Sequence, residues 1–346
     1  MAEKALHGVN LTGWLTLESW VTPEIFAGSG ALDEPALVKA LGGHAYAEVV
    51  RRHRDTFITA EDFSRIAARG LNAVRLPVPW YAYGADGPNP GSYVGCVDYV
   101  DRALEWAEEY DIKVVFVLDT HPGAPVSDDE DQDVSDPRSV RERELDVISS
   151  LSKRYASRVG FFGIELADEV TPQVRHGLTL TDGAPVHFLR NYYREAYELV
   201  RAAAGEDPVV IMPDGGYPSA WRRFMAQSRY VNVWLDCHLD RTNFKIDVAG
   251  PSGVRRMVEK SRERIADASR CGMPVMVGKW SASLPMADSS MTPEGRIALE
   301  RIYASEQLDA YGGLPAWFFQ TWKTSGLLAS WDARLALATF ERGMLS

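Results

Sequence analysis

Two ionisable residues lie at the ends of short apolar segments of this 346-residue chain. Lys279 falls in PVMVGKWSAS (274–283) and Glu169 in FFGIELADEV (161–170). Each segment is typical of a buried strand, and two strand ends that each deliver an ionisable group are how a barrel enzyme builds a catalytic pair. Two carboxylates would predict glycoside hydrolysis. A carboxylate beside a lysine predicts a different reaction, or a site that has lost that chemistry.

Alternating strand-like and helix-like segments must position these two residues. Eight mostly apolar segments predict strands, of which NAVRLPV (72–78) and KVVFVLDTH (113–121) are clear examples. Segments with apolar residues at helical spacing, such as VDYVDRALEWAEEY (97–110), separate them. Strands apolar on both faces indicate a parallel sheet covered by helices. We therefore expect one α/β domain over 1–346, a single (β/α)8 TIM barrel; a doubly wound sheet is disfavoured because no phosphate-binding glycine loop occurs.

The composition restricts the possible partners. The formal net charge is −11 without a basic cluster, which argues against nucleic acid and anionic membrane surfaces. No apolar run reaches the length of a bilayer span, and the initial MAEKALHGVNL has no apolar signal region. Three cysteines without metal-ligand spacing are typical of reduced thiols. We expect a cytoplasmic protein with a small-molecule or glycoside substrate, no cofactor and no metal; the oligomeric state stays open.

Polar residues recur at nearly every predicted strand end. Because a buried polar group needs partners, so many of them predict a functional pocket at the carboxyl ends of the strands, with a purely structural network as the alternative. These residues are Asn10, Arg75, Asp119, His121, Asp168, Glu169, Asp214, Asp236, His238, Lys279, Trp280, Gln320 and Trp322.

Longer segments resemble glycoside hydrolase family 5, particularly its exo-β-1,3-glucanase branch. GVNLTGWLTLESWVTPEIF (8–26) resembles the first strand and loop of that branch, and HRDTFITAEDFSRIAARGLNAVRLPVPWY (53–81) its second unit. GIELADEV, LDCHLD, VMVGKWSAS and WFFQTWKT follow in the order of the later strands. The resemblance spans nearly the whole chain and implies a barrel that acts on carbohydrate.

The resemblance also implies roles for individual residues. Glu169 matches the general acid/base at the end of the fourth strand. Glu18 and Trp20 match substrate contacts of the first loop. Arg75, His121 and His238 match the polar shell around the site of the cleaved sugar. Trp280 follows the position of the nucleophile.

Four residues depart from the family pattern at its reactive centre. Lys279 stands where the family has its nucleophilic glutamate, and Asp168 where an asparagine precedes the acid/base. Asp240 replaces a tyrosine that contacts the nucleophile, and Gln320 replaces a tryptophan that forms the sugar platform. Since a retaining glycosidase needs a second carboxylate about 5 Å from the acid, Lys279 argues against ordinary retaining hydrolysis. A buried lysine also needs a partner, so we expect it to pair with Asp240, Glu169 or both.

Three functions are compatible with this pattern. The favoured one is a repurposed enzyme for a small glycoside or biosynthetic intermediate, in which Glu169 and Lys279 serve as acid–base or electrostatic groups. The second is a non-catalytic binder that keeps the sugar cleft, with Arg75, Trp280 and Trp322 for recognition.

The third function is glycoside hydrolysis by a non-standard route. An inverting enzyme needs two carboxylates about 6.5–9.5 Å apart. Glu169 together with Asp240, Asp236 or Glu18 is the candidate pair.

Overall fold

A computed structural model describes residues 4–84, 93–119, 137–176, 179–240, 250–284, 291–338 and 340. Eight parallel strands form a closed barrel, in which the last strand pairs with the first, so the predicted (β/α)8 fold is confirmed. The strands are β1 (Leu6–Asn10), β2 (Ala73–Pro79), β3 (Lys113–Asp119), β4 (Phe161–Glu165), β5 (Val209–Pro213), β6 (Val233–His238), β7 (Val275–Trp280) and β8 (Ala316–Phe319).

Helices cover the outside of the barrel and occupy the loops at its carboxyl end. Among the described helices, none combines the length and apolar character that crossing a bilayer requires. The helices are α1 (Pro23–Phe26), α2 (Glu34–Leu41), α3 (Gly43–Thr56), α4 (Ala60–Ala68), α5 (Val97–Glu109), α6 (Pro137–Tyr155), α7 (Val186–Ala204), α8 (Gly250–Ser269), α9 (Pro293–Tyr311) and α10 (Ala333–Ala336), with a 3₁₀ turn at Pro218–Trp221.

The local sequence explains how these elements begin. At α4, Thr59 forms a capping box with Asp62, each side chain accepting from the other residue's backbone, which satisfies amide groups that a helix start leaves unpaired. The strands are buried on both faces, as expected for a parallel sheet under helices; every residue of β2 is buried.

The interior of the barrel has two layers. Apolar side chains, including Val115, Ile211 and Phe318, fill its amino-terminal half as a separate cluster. Further along the strands the interior becomes polar, with Asn10 and Arg75 completely buried. This change of character places the polar groups at the carboxyl end, where TIM barrels build their sites.

The alternation of side chains is interrupted in β7. Its register with β8 shifts between Val277 and Trp280. At Gly278 an added Cβ would lie 1.8 Å from an Asp236 carboxylate oxygen, so only glycine leaves room for that group. A register shift of this kind changes the direction of the following side chains, and it decides where Lys279 and Trp280 point.

Candidate functional site

Arg75 forms the centre of the polar layer. Its guanidinium donates to Glu165 at 2.9 Å, to Asn10 Oδ1 at 2.9 Å and to Asp168 Oδ1 at 3.0 Å. Burial would lower the pKa of Arg75, but the carboxylates of Glu165, Asp168 and Asp236 outweigh it and raise that pKa. Arg75 is therefore a permanent charge that fixes Asp168 at the barrel mouth.

His238 and Asp236 extend this layer. His238 Nε2 lies 3.1 Å from Asp236 Oδ2 and 3.7 Å from Glu165 Oε1. Burial lowers the pKa of His238, yet Asp236 and Glu165 raise it to about 10. Burial, followed by the charge of Glu165, raises the pKa of Asp236 to about 6. The imidazole is therefore a cation at neutral pH.

Glu165 is a site residue that our sequence analysis missed. Its charge inside an otherwise apolar strand was the available signal, because such a group needs a buried partner. Ligand atoms of Glu165, Asp236 and His238 lie within 4.8 Å of one another, a spacing compatible with a metal ion. The guanidinium of Arg75 already lies against this group, 2.8 Å from Glu165 and 3.8 Å from Asp236, and supplies the positive charge.

Lys279 forms the second cationic centre, above Arg75. Its ammonium donates to Asp168 Oδ2 at 2.7 Å and to Glu169 Oε1 at 3.0 Å. Burial would lower the pKa of Lys279, but Asp168 and Glu169 raise it, so the amine is charged. Burial opposes the charge of Asp168 as well, yet Lys279 and Arg75 hold its pKa well below the usual range. The expected pair with Glu169 is present.

Asp168 is the partner that we did not predict for Lys279. It bridges the two cations, with one oxygen to Arg75 and the other to Lys279. Asp240 also borders Lys279 electrostatically, but no hydrogen bond joins these two residues in the described part of the chain. The charge of Lys279 is therefore balanced by Asp168, the carboxylate that Arg75 already positions, rather than by Asp240.

Glu169 has an unusual backbone conformation. Its φ is +46°, in the left-handed region that a residue with a side chain seldom adopts. We expected the strand to continue to Glu169, but β4 ends at Glu165, and the left-handed φ of Glu169 itself is incompatible with an extended strand. The turn from 166 to 169 directs both Asp168 and Glu169 to Lys279, and such strained positions are frequent at functional sites.

A cavity of about 760 Å³ opens above these charges. It has the volume of a small-molecule site. Asp119, at the end of β3, also borders it. The predicted site residues that line it are Glu18, Trp20, Asp168, Glu169, Asp240, Lys279 and Gln320.

Arg75 and His238 lie beneath the cavity. Both are held within the buried polar layer and hydrogen bond to the carboxylates below and beside it. They therefore support Asp168 and the floor rather than lining the open space. His121 lies outside the described residues.

Trp280 and Trp322 do not line the cavity, which corrects their predicted placement. Trp280 is completely buried on the outer face of the sheet, where its ring meets Trp317 edge-on at 5.5 Å and Phe319 at 4.9 Å. The register shift in β7 turns it outward. Trp322 packs toward α4 and donates its Nε1–H to Asp62 at 2.8 Å.

Two groups of aromatic side chains line the cavity. In the first, Trp20 meets Trp331 at 5.5 Å. In the second, Tyr81 and Tyr93 stack at 4.4 Å and Trp80 meets Tyr93 at 5.3 Å. Sequence analysis missed Trp331, because it lies in a loop without a strand-end signal. Flat aromatic faces with a polar floor suit a ligand that has both apolar and hydroxylated surfaces.

Gln320 joins the aromatic wall to the floor. It follows β8, borders the cavity, and accepts a hydrogen bond from the Thr12 hydroxyl at 3.0 Å. The peptide bond between Gln320 and Thr321 is cis. The amide of Gln320 is thus tied to the loop after β1 at the rim of the site.

Glu18 is the cavity carboxyl with a pKa near neutrality. It accepts from the Trp20 indole at 2.5 Å. Burial raises its pKa to about 7, with Asp119 adding to the rise and Lys279 opposing it. Its proton is therefore easily gained or lost at physiological pH.

Comparisons with known proteins agree with this geometry. Residues 41–299 match the family model described as cellulase (glycosyl hydrolase family 5). The chain belongs to glycosyl hydrolase family 5, and the predicted family is confirmed. It is similar to the probable glucan 1,3-beta-glucosidase A of Aspergillus fumigatus, with 29% identity over 96% of this chain and 86% of that protein. The protein of the same name from Aspergillus clavatus is 30% identical, again over 96% and 86%.

Solved structures confirm the fold. The crystal structure of rutinosidase from Aspergillus niger has a TM-score of 0.76 at 18% identity, covering 99% of this chain and 98% of that one. PbGH5A, a glycoside hydrolase family 5 enzyme from Prevotella bryantii B14, has a TM-score of 0.64 at 14% identity, covering 99% and 96%. The protein is therefore glycoside hydrolase-like in family and in architecture.

The ion pairs of Lys279 can be tested through stability. Lys279→Met leaves Asp168 and Glu169 as neighbouring carboxylates without the ammonium. We expect the free energy of unfolding at neutral pH to fall by about 3 kcal/mol, measured by urea denaturation. Lys260→Met, which removes an exposed lysine paired with Glu263, is the matched control and should cost less than about 1 kcal/mol.

The double variant Asp168→Asn/Lys279→Met completes this cycle. Because the two residues compensate each other, it should lose clearly less stability than the sum of the two single variants. Equal costs for Lys279→Met and Lys260→Met, or simple additivity in the cycle, would show that the contact does not stabilise the fold.

The raised pKa of Glu18 predicts a pH-dependent effect of its removal. The folded protein holds the proton up to a pH of about 7, whereas the reference value is 4.5. Ionisation between these values therefore costs folding free energy in the native protein. Glu18→Gln should gain stability relative to the native chain from about pH 5 to pH 8, on the order of 2 kcal/mol. Urea denaturation at both pH values measures this, with exposed Glu48→Gln as control; a pH-independent difference contradicts the assignment.

Proposed function

We propose that this family 5 protein binds a glycoside in the cavity above Lys279 and does not carry out retaining hydrolysis. The observation that carries the proposal is the buried ammonium of Lys279, bonded to Asp168 and Glu169. In this proposal Lys279 occupies the position of the family's nucleophile. A retaining mechanism needs a carboxylate there, about 5 Å from the acid, to form the glycosyl-enzyme.

The charge of Lys279 also disfavours the roles that an amine could take in its place. A lysine acts as a general base or forms a Schiff base when its amine is neutral. Here the two carboxylates keep the pKa of Lys279 raised. A fixed cation at this position would further oppose the positive charge that develops on the sugar in glycoside cleavage. An electrostatic and structural role remains for Lys279.

Glycoside binding is supported by the cavity itself. Its volume of about 760 Å³ suits a ligand of one to a few rings. Trp20, Trp331, Tyr81 and Tyr93 line the cavity and provide aromatic surface for such a ligand. The relatives from Aspergillus are named as probable glucan 1,3-beta-glucosidases, and we extend to this chain the class of ligand in that name.

A repurposed enzyme for a small intracellular glycoside is the second candidate. It is favoured by Glu18, whose pKa of about 7 suits proton transfer at neutral pH. Turnover of a glycoside that disappears in Glu18→Gln while binding persists would select this candidate. The intracellular location remains a prediction from the sequence.

The absence of retaining hydrolysis is tested by exchanging two residues together. The native protein should release no nitrophenol from aryl β-glucosides above the rate of the buffer. Asp168→Asn/Lys279→Glu restores the asparagine and the glutamate of the family pattern, makes this pair more negative by one charge, and provides the carboxylate that the mechanism requires. We expect this variant to gain measurable release, and a 2-deoxy-2-fluoro glucoside should label position 279.

Two controls make the hydrolysis experiment decisive. Adding Glu169→Gln to the double variant should remove the gained activity, because the acid/base is lost. Gln320→Ala in the native background should remain inactive. Native hydrolysis that Glu169→Gln abolishes would contradict the proposal directly.

The aromatic walls predict the strength of ligand binding. Trp20→Ala removes one ring face, and we expect the dissociation constant of an aryl β-glucoside to rise about 10-fold, or ~1.4 kcal/mol. Isothermal titration calorimetry measures it. Trp234→Ala is the control, because Trp234 packs on Phe162 in β4, away from the cavity. Equal effects of the two replacements would place the binding site elsewhere.

A further inference from the structure

The cavity carries a large excess of acidic groups. Among the described residues that line it, Lys279 is the single lysine or arginine. The same lining includes seven carboxyl side chains, namely Glu18, Asp33, Glu34, Asp119, Asp168, Glu169 and Asp240. A cavity that binds a neutral sugar does not require such an imbalance, so the individual carboxyl groups need an explanation.

Several of these carboxyl groups have partners within the protein. Asp168 and Glu169 share the ammonium of Lys279. Asp33 accepts from the backbone of Ala36 at the start of α2.

Glu34 is satisfied within the cavity wall. It accepts from the hydroxyl groups of Tyr46 and Tyr81, both within 2.6 Å, and from the backbone of Leu17 at 3.0 Å. Asp240, by contrast, keeps a buried oxygen without a donor among the described residues, and no lysine or arginine other than Lys279 borders the cavity within those ranges.

Asp240 is a buried acid with an unused oxygen. Its exposed fraction is 6%, and its Oδ1 has no hydrogen-bond partner among the residues described. Lys279 and Arg264 lie close enough to sense its charge, but neither donates to it in that part of the structure. A buried carboxylate oxygen without a donor is costly. Because Asp240 lines the cavity, a ligand donor can approach this carboxylate from the open space and offset that cost.

Glu18, whose pKa is raised by burial and then by Asp119, is a second group in the cavity that senses negative charge. The groups that act on it are Asp119 and Asp168, which favour its protonated form, and Lys279 and the Trp20 indole, which favour its ionised form. The carboxyl groups and burial prevail. A cation placed beside Glu18 and Asp119 would relieve this repulsion.

We propose that the ligand is an amino sugar glycoside, whose protonated amine is bound by the unpaired Asp240 carboxylate in the acidic cavity. This inference rests on the proposed glycoside binding and names the substrate class. An ammonium has three donors and no acceptor, which matches an acid-lined site. Charge-assisted hydrogen bonds to carboxylates are the stronger ones, and the faces of Trp20 and Trp331 attract a cation.

Three matched ligands test the proposal. 4-Nitrophenyl β-D-glucosaminide, the corresponding β-D-glucoside and the N-acetyl-β-D-glucosaminide differ at the 2-substituent alone. By calorimetry at neutral pH we expect the amino sugar to bind at least about 10-fold more tightly than either neutral ligand, ~1.4 kcal/mol. Its advantage should shrink as salt is added.

Two cavity variants test whether the carboxyl groups cause the preference for the amino sugar. Asp240→Asn should reduce the preference for the amino sugar over the glucoside by about 10-fold, and Glu18→Gln should reduce it in the same direction. Asp207→Asn, at an exposed position outside the cavity, is the matched control and should keep the preference. A preference that survives both cavity variants overturns the proposal.

Proton release gives a second measurement that needs no variant. The bound cation should favour the ionised form of Glu18, so calorimetry at about pH 6, where the sugar amine is already protonated and Glu18 still holds its proton, should detect proton release with the amino sugar and none with the glucoside in buffers of different ionisation enthalpy. Equal or tighter binding of the neutral glucoside overturns the amino-sugar inference but leaves glycoside binding intact. If none of the three ligands binds at millimolar concentration, both this inference and the proposed function are wrong.

Discussion

The buried contact between Lys279 and Asp168 is the constraint around which the site is organised. An ammonium inside a barrel is tolerated only with close compensation, because its desolvation is costly. Asp168 provides that compensation at 2.7 Å while its other oxygen holds Arg75. Arg75 is in turn bound to Glu165. Charges of alternating sign therefore cross the mouth of the barrel, and each one depends on its neighbours for its ionisation state.

This arrangement connects two departures that the sequence presented separately. Relative to the family resemblance, Asp168 stands for an asparagine and Lys279 for a glutamate. In the structure the two side chains contact each other, so we interpret them as one coupled exchange: a negative charge appears in the turn after β4, and the negative charge at the end of β7 is replaced by a positive one. The pair is neutral, whereas an asparagine with a glutamate would carry one negative charge. In the function that we propose, this ion pair stabilises the site in the absence of the carboxylate that a retaining mechanism uses.

Much of the fold followed from the sequence, because eight apolar strands and intervening amphipathic helices leave few architectures. The pairing of Lys279 with Glu169 also followed from charge alone. The outward position of Trp280 did not, since simple alternation along β7 fails at the register shift near Gly278. Likewise no side-chain pattern reveals that β4 ends at Glu165 or that the backbone of Glu169 is left-handed.

The protonation state of Lys279 tests the central claim most directly. Selective ¹⁵N labelling of lysine, followed by NMR of the Nζ resonance across a pH titration, measures the pKa of its amine, and Lys279→Arg assigns the signal. We expect the amine to remain charged up to at least about pH 10.4, the ordinary value for lysine, because Asp168 and Glu169 raise its pKa. A Lys279 amine that loses its proton below about pH 8 would contradict the ion pair and would restore lysine-based catalysis.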